Sequence, residues 1–262
     1  MRLFLTLILT WFTLPAFADT MRMAVTTSFH NSGLADVLGP MIKEDTGIDM
    51  QLLVVGTGQA LKLGQAGDVD AVLVHAKAAE DAFVAAGHSP YRREIMYNDF
   101  VVIGPATDPA HLSQAKNASD AFARLQSAQA TFVSRGDDSG THKAEQALWP
   151  TPPIGAWYKE AGSGMGATLN TAMGLGAYVL TDRASWLNFG NKSDDMAIVF
   201  ENDPALFNQY TLLPVSAVRH PHIRSDLAAE VENWLASATG QATIAGYTLQ
   251  DKQLFFPNAT AK

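Results

Sequence analysis

Four short polar segments of the sequence have the composition of a site for a negatively charged ligand. They are rich in threonine, serine and glycine, and they lie at residues 26–28, 56–59, 134–141 and 162–168. Arg135 is the only arginine or lysine among them. Hydroxyl groups, backbone N–H groups made accessible by glycine and the planar fork of an arginine are well suited to hold charged oxygen atoms. Together the segments indicate an oxyanion site, if the fold brings them to one place.

Apolar periodicity predicts how the fold positions these segments. Leu34, Val37, Leu38, Met41 and Ile42 repeat at three and four positions, as on one face of a helix, whereas the strands are predicted from short apolar runs. The predicted strands lie near residues 22–26, 48–55, 69–74, 96–103, 130–134, 178–180 and 196–200. The predicted helices lie near residues 33–45, 59–65, 77–86, 119–129, 141–149, 166–173 and 227–235. This alternation predicts an α/β fold with parallel strands.

Each of the four segments falls at the start of a predicted helix, and the first three directly follow a predicted strand. Ligands of α/β proteins bind where loops leave the carboxyl ends of strands and enter helices. A helix start offers N–H groups without acceptors and a partial positive charge. Ser, Thr, Asp and Gly are also ordinary capping and turn residues, which explains any one segment alone. Four such segments in one chain, one of them with an arginine, favour a binding site.

The net charge of the chain is −8, so the positive potential of the site must be local. An acidic surface repels an anion at long range and argues against a nucleic-acid partner. Hydrogen bonds to a charged group contribute about 1.5 to 3 kcal/mol each, and nanomolar affinity requires about 12 kcal/mol. Roughly seven well-directed donors therefore suffice after the costs of association, without a basic patch.

Residues 1–18 have the pattern of a cleavable signal peptide. Arg2 precedes an apolar stretch that is too short to cross a bilayer, and Ala16, Phe17 and Ala18 form an Ala-x-Ala cleavage site. Cleavage after Ala18 leaves a mature chain with a charge of −9, because Arg2 is removed. The sequence contains no cysteine, which excludes a lipoprotein anchor and disulfides. We therefore expect a secreted, periplasmic protein that is not a lipoprotein.

Seven motifs, in order across almost the whole mature chain, resemble those of tungstate-binding periplasmic proteins of ABC transporters. They are Thr-Thr-Ser at 26–28, Val-Val-Gly-Thr-Gly-Gln-Ala-Leu at 54–61, Tyr-Asn-Asp-Phe at 97–100, Ser-Arg-Gly-Asp-Asp-Ser-Gly-Thr-His-Lys-x-Glu at 134–145, Gly-Met-Gly-Ala-Thr-Leu at 164–169, Thr-Asp-Arg at 181–183 and Lys-Gln-Leu-Phe-Phe-Pro at 252–257. Val25 stands where the family commonly has a further threonine.

The resemblance implies an α/β, two-lobed type II periplasmic binding protein fold with two crossover segments. Lobe I would comprise residues 19–104 and 207–262, and lobe II residues 105–206. The crossovers would lie near residues 97–103 and 208–215. The lobes would close on the ligand as a hinge.

The same resemblance implies which residues bind the oxyanion. Lobe I would contribute Thr27, Ser28, Thr57 and Gly58, and lobe II would contribute Arg135, Ser139, Gly140, Thr141, Gly166 and Ala167. Asp137 or Asp138 would orient Arg135. The family implies no catalytic residue and no cofactor, with tungsten bound only as the oxyanion. The implied partners of this monomer are an ABC transporter permease and its ATPase.

The chemistry of the segments narrows the ligand. Phosphate is partly protonated near neutral pH, so a site that selects it benefits from a carboxylate acceptor. Residues 26–28 and 56–59 contain no carboxylate, which favours tungstate, molybdate or sulfate, provided that Asp137 and Asp138 face Arg135. Tungstate and molybdate are nearly identical in size and charge. Only the resemblance favours tungstate over molybdate.

Two other classes of function remain as alternatives. A periplasmic serine hydrolase would use Ser139 and His142, although no Gly-x-Ser-x-Gly motif surrounds any serine. A sensory module would bind the same oxyanion but signal instead of delivering it. A metal site is disfavoured, because the seven histidines lack the spacing of metal ligands.

Overall fold

The structure, a computed structural model, describes residues 19–260, so the predicted signal peptide lies outside the described residues. The strands are β1 (Asp19–Thr26), β2 (Ile48–Val55), β3 (Ala71–Val74), β4 (Arg93–Pro105), β5 (Phe132–Ser134), β6 (Tyr158–Glu160), β7 (Val179–Asp182), β8 (Met196–Phe200), β9 (Phe207–Pro214), β10 (Thr248–Leu249), β11 (Lys252–Gln253) and β12 (Phe256–Pro257). The α-helices are α1 (Thr27–Asn31), α2 (Leu34–Thr46), α3 (Thr57–Ala66), α4 (Lys77–Ala85), α5 (Ala118–Ala128), α6 (Gly140–Leu148), α7 (Met165–Leu175), α8 (Arg183–Asn188), α9 (Ser225–Leu235) and α10 (Ala238–Gly246).

The first body of the protein is a mixed sheet with the strand order β12-β4-β9-β3-β1-β2. Strand β1 runs parallel to β2 and β3, and β9 runs antiparallel to β3 and β4. Alternate residues of β1 enter different cores: Met21, Met23 and Val25 pack with α2 and α9, whereas Ala24 packs with α3 and α4. The sheet is therefore covered by helices on both faces, as an α/β fold requires.

The second body forms around the far half of β4. Strands β7 and β8 pair antiparallel with β4, and the short strands β5 and β6 pair parallel beside them. The side chains of Phe100 and Val102 pack with α5, while Val101 and Ile103 pack with α7. Strand β4 thus supplies core residues to both bodies.

The chain passes between the two bodies twice, along β4 and at the start of β9. These two passages pair with each other, since Tyr97 lies opposite Gln209 and Asn98 lies opposite Asn208. The two-lobed α/β fold with two crossover segments that the sequence predicts is thereby confirmed. The exact bounds of lobe I (19–104 and 207–262) and lobe II (105–206) stay a prediction.

Some elements differ from the sequence prediction for physical reasons. Helices α1 and α8 span only five and six residues, so they are too short to show an apolar periodicity. Helix α3 begins at Thr57, two residues before the predicted start, because Gly56 takes the extended conformation of an N-cap. Within residues 19–260, no helix is both long enough and apolar enough to span a bilayer.

The second core gives a test of its packing. Phe122 is fully buried against the rings of Phe132 and Trp149, at centroid distances of 5.8 and 4.6 Å. We expect Phe122→Ala to lower the free energy of unfolding in urea by about 3 to 5 kcal/mol, because it leaves a cavity in an aromatic cluster. The matched control is Ile154→Ala at an exposed position, which should change it by less than about 0.5 kcal/mol. Equal effects of both substitutions would show that this core is not packed as described.

Candidate functional site

Three of the helices that follow the polar segments begin near one another, between the two bodies. Helices α3 and α7 start after Gly56 and Gly164, which carry no side chain, and α6 starts after Ser139, whose hydroxyl accepts a hydrogen bond from the His142 backbone N–H at 3.2 Å. The first N–H groups of each helix have no intrahelical acceptor. Helix geometry therefore leaves backbone donors in this region, among them those of Gly58, Thr141, Gly166 and Ala167.

Residues far apart in sequence meet directly at this place. The Gly140 backbone N–H donates to Thr57 Oγ1 at 2.9 Å. The hydroxyl groups of Ser28 and Thr141 lie 3.5 Å apart. Each pair joins one residue of the first body to one residue of the second. The polar segments of the two bodies are thus in contact in this structure.

The remaining predicted residues lie around these contacts. A Cβ added to Gly58 would lie 2.6 Å from Asp138 Oδ2, which shows how closely α3 approaches the loop before α6. A Cβ added to Gly166 would meet only the Asn31 side chain, at 3.5 Å. Ala167 lies in the first turn of α7. Direct contacts between the polar segments join six of the ten predicted residues, which are Thr27, Ser28, Thr57, Arg135, Gly140 and Thr141. The other four, Gly58, Ser139, Gly166 and Ala167, lie at the starts of α3, α6 and α7.

Arg135 is the centre of the site and is only 2% exposed. Its Nε donates to the Ser163 carbonyl oxygen at 2.9 Å, and its Nη2 donates to Asp137 Oδ2 at 2.5 Å and to Thr27 Oγ1 at 3.2 Å. Its Nη1 is buried and has no hydrogen-bond partner within residues 19–260. A buried guanidinium nitrogen without an acceptor is costly, so this atom marks a place for an anionic group.

The two aspartates of the third segment have different roles. Asp137 contacts Arg135, and its second oxygen accepts the Ser139 backbone N–H at 3.2 Å. Asp138 instead forms an ion pair with Lys143 on the surface of α6. Both oxygens of Asp137 are therefore occupied by protein donors.

Three buried polar side chains that the sequence does not single out form a hydrogen-bonded row next to the start of α6. His75 Nδ1 lies 2.9 Å from Asn208 Oδ1, and the Asn208 side-chain amide donates to Asn98 Oδ1 at 2.6 Å. Burial lowers the pKa of His75 to about 4, so the imidazole is neutral near pH 7. Asn98 belongs to one of the family-like motifs, at 97–100, but nothing in its local sequence shows that it contacts residue 208.

The arrangement does not support the hydrolase alternative. The Ser139 hydroxyl caps α6, and His142 Nδ1 accepts the Asp138 backbone N–H at 3.1 Å, so the imidazole is not bonded to the Ser139 hydroxyl. A nucleophile and its base require such a bond. Among residues 19–260 there is also no group of three or more His, Cys, Asp or Glu side chains arranged to hold a metal ion.

Two small clefts flank the meeting point of the helices. One, of about 250 Å³, lies between α4 and α6 and includes His75 and Gly140. The other, of about 300 Å³, includes Asn31 and Gly166. A larger groove of about 720 Å³, lined by Tyr97, lies elsewhere and includes none of the predicted ligand residues. Neither small cleft includes Arg135, so the contacts of Arg135 and the helix starts define the candidate site, rather than a cavity.

Comparisons with known proteins agree with this geometry. Residues 16–239 match the model of a PBP superfamily domain. The tungstate-binding protein TupA of Peptoclostridium acidaminophilum is 43% identical over 245 residues, which cover 90% of this chain and 85% of that protein.

Two solved structures are similar in sequence and in fold. The tungstate-binding protein TupA from Desulfovibrio alaskensis is 44% identical, with a TM-score of 0.78, over 93% of this chain and all of that chain. A structure described as the tungstate ABC transporter from Geobacter sulfurreducens is 43% identical, with a TM-score of 0.81, over 87% of this chain and 99% of that chain.

Two glycines in helices test how tightly the bodies must approach. A Cβ on Gly140 would lie 2.8 Å from the His75 ring and 3.0 Å from the His75 carbonyl oxygen, whereas a Cβ on Gly174, in α7, would meet nothing within 4 Å. We expect Gly140→Ala to weaken the affinity for tungstate, the oxyanion favoured by the family resemblance, by at least about tenfold, because α6 must move away from His75. Gly174→Ala, the control, should change the affinity by less than about threefold. Isothermal titration calorimetry measures both, and equal affinities would contradict the contact.

Proposed function

The chain belongs to the PBP superfamily and, within it, to the family of tungstate-binding proteins of ABC transporters, and from this we propose that it captures tungstate between its two lobes and delivers it to a permease. The observation that carries the proposal is Arg135 Nη1, a buried cationic nitrogen with no partner among the described residues. An oxyanion oxygen is the acceptor that this nitrogen lacks. We assign ligand binding to the ten residues predicted from the sequence.

The donors around Arg135 suit a fully deprotonated oxyanion. Three helix starts contribute backbone N–H groups, and the hydroxyl groups of Thr27, Ser28 and Thr141 can donate as well. Both oxygens of Asp137 are engaged, by Arg135 and by the Ser139 N–H. Because each oxygen of Asp137 already accepts a hydrogen bond from the protein, it is a weaker acceptor for the proton of monohydrogen phosphate, and its charge repels every anion alike. This favours tungstate, molybdate and sulfate over phosphate.

Contacts between the bodies support closure around the ligand. The bonds from Arg135 to Thr27 and from Gly140 to Thr57 join residues that we assign to different lobes. An oxyanion held by both sets of donors would add further links between the lobes. Binding therefore favours the closed arrangement, because the ligand has its full set of donors only there.

The proposed setting follows from the family and the sequence. We place the mature chain in the periplasm after cleavage of residues 1–18, as a monomer without a lipid anchor. Its partners are the permease and the ATPase of an ABC transporter. We propose that it binds and releases the oxyanion without turnover and needs no cofactor.

The ligand preference is testable by competition. We expect the mature protein to bind one tungstate per chain, and molybdate to compete more strongly than sulfate or phosphate. Phosphate should be the weakest at about pH 7, where its protonated form finds only a weaker acceptor in the site. Calorimetric displacement titrations measure this order. Phosphate binding equal to tungstate binding would contradict the donor-only site.

The role of Arg135 is testable by substitution. We expect Arg135→Ala to weaken tungstate binding by at least about tenfold, because a hydrogen bond to a charged group is lost. Arg135→Lys keeps the positive charge but loses the planar set of N–H donors of the guanidinium. Its affinity for tungstate should lie between those of the wild type and Arg135→Ala. The control is Arg124→Ala, at an arginine that contacts Asp120 on the surface of α5. Circular dichroism verifies folding, and an unchanged affinity in folded Arg135→Ala would refute the proposed site.

A further inference from the structure

A second group of buried polar side chains, which the proposed function does not use, surrounds the crossover strands. Asp182 ends β7, Tyr210 lies on β9 and Asn98 lies on β4. Each of the three is at most 1% exposed. They come from three adjacent strands, since Asp182 lies opposite Phe100 on β4 and Asn98 lies opposite Asn208 on β9. Three elements of the fold thus place polar groups in one apolar interior.

Four atoms of this region lack a hydrogen-bond partner. Within residues 19–260, six buried side-chain nitrogen or oxygen atoms have none, and four of the six are Asp182 Oδ2, Tyr210 OH, Asn98 Nδ2 and Arg135 Nη1. Buried polar atoms are almost always paired, because an unpaired one costs about 1 to 3 kcal/mol. Their concentration beside the anion site indicates that the network is completed in another state of the protein.

Charge links this group to the anion site. The charges of Asp182 and Arg135 both act on the Tyr210 hydroxyl, and the Tyr210 ring lies 4.8 Å from the ring of His75, which packs against Gly140. A hydrogen-bonded path also joins Asp182 to the anion site, because Asp182 accepts the Ser185 backbone N–H at 2.8 Å and the Ser185 hydroxyl donates to the carbonyl oxygen of Ser28 at 3.3 Å. In an interior of low dielectric constant, a charge that enters beside Arg135 acts over several ångströms.

Asp182 has one occupied oxygen and one free oxygen. Its Oδ1 accepts the Ser185 backbone N–H at 2.8 Å and caps α8, while Oδ2 has no donor. Burial, followed by the charge of Asp99, raises the pKa of Asp182 to about 6.

The elements packed against Asp182 carry other titratable groups. They are Arg93, Glu94, Tyr97 and Asp99 on β4, Tyr210 on β9, Arg183 on α8, Arg135 after β5 and, on α6, His142, Lys143 and Glu145. Arg183 forms ion pairs with Asp99 and Glu201. Glu145 accepts hydrogen bonds from the side chains of Ser134, Trp149 and Tyr158. Helix α7 brings no titratable side chain.

We propose that Asp182 takes up a proton when the oxyanion binds, so that the protein captures the anion together with one H⁺. The inference rests on the proposed function. An incoming dianion beside Arg135 and Asp137 leaves that region with excess negative charge, and a second buried carboxylate then becomes unfavourable. The proton comes from solvent and converts the carboxylate of Asp182 to a neutral carboxyl group. That group gains an O–H donor and no longer carries a buried negative charge.

The direction of the pH effect follows from this charge balance. Without ligand, Asp182 is mostly ionised at about pH 7 and mostly neutral below about pH 6. The bound anion raises the pKa of Asp182 further. Affinity should therefore be highest below about pH 6 and should fall as the pH rises above it. The total fall is about tenfold for each pKa unit by which the anion raises the pKa. Tungstate itself does not titrate near neutral pH, so the protein is the source of the effect.

Calorimetry in two buffers of different ionisation enthalpy measures the proton directly. At about pH 7 we expect tungstate binding by the wild type to take up a substantial fraction of one proton. Asp182→Asn keeps the helix cap and removes the titration, so it should bind without that uptake and lose the pH dependence. The control is Glu80→Gln, a buried carboxyl group whose pKa is also raised by burial but which is paired with Arg92. It should keep the full uptake.

Each outcome of this experiment is decisive. If tungstate binds without proton uptake, the role of Asp182 is overturned while the proposed function stands. The same holds if proton uptake persists in Asp182→Asn, and its loss in Glu145→Gln or His142→Gln would then identify the group that takes up the proton. Absence of tungstate binding by the wild type overturns the proposed function, and with it the role of Asp182.

A second measurement needs no ligand. Burial raises the pKa of Asp182 to about 6 in the folded protein, from the 3.8 of an exposed aspartate. Between these two pH values the folded state holds more protons than the unfolded state. The free energy of unfolding therefore falls as the pH rises toward about 6. Over this range the free energy of unfolding of the wild type should fall relative to that of Asp182→Asn. Above about pH 7 the two curves of unfolding free energy against pH should run parallel. Parallel curves throughout would overturn the assignment.

Discussion

One buried cation, the guanidinium of Arg135, holds together the three segments from which the candidate site is built. Arg135 cannot be removed from water unless its nitrogens find acceptors, and the fold supplies three: the Ser163 carbonyl, the Asp137 carboxylate and the Thr27 hydroxyl. These acceptors come from the loop before α7, the loop before α6 and the start of α1, so satisfying the guanidinium fixes three parts of the chain relative to one another. The nitrogen that remains marks the position that we propose for an oxygen of the ligand. A net charge of −8 is compatible with anion capture because this field acts only locally.

The sequence predicts the local elements well where one physical signal dominates. The run from Ile48 to Val55 is a strand with the bounds predicted, because it is apolar, has strand length and is followed by Gly56. The helix starts are also recognisable, since Gly, Ser and Thr at a strand-to-helix junction are typical of a helix N-terminus, whether or not a ligand binds there. The meeting of Thr57 with Gly140 was expected only from the resemblance to a family, because local patterns do not show which junctions share one edge.

The buried network was not predictable in this way. Asn98 and Asn208 are 110 positions apart and meet because two crossover strands pair in one register. An asparagine in a strand indicates neither burial nor a distant partner. Asp182 caps α8, a short helix that the sequence does not predict. Its unpaired second oxygen is a property of the three strands around it, which only the assembled fold reveals.

The strand order of the first body also has a consequence for how the protein is made. Strand β9 lies between β3 and β4 in the sheet, although it comes more than a hundred residues after β4 begins. Until residues 207–214 have been synthesised, β1 to β3 and β4 are two separate sheet fragments with unpaired edges. The native sheet cannot close early on the growing chain, so its formation is late and relies on contacts of long sequence separation. The sheet of the first body can therefore be completed only after most of the chain has been made.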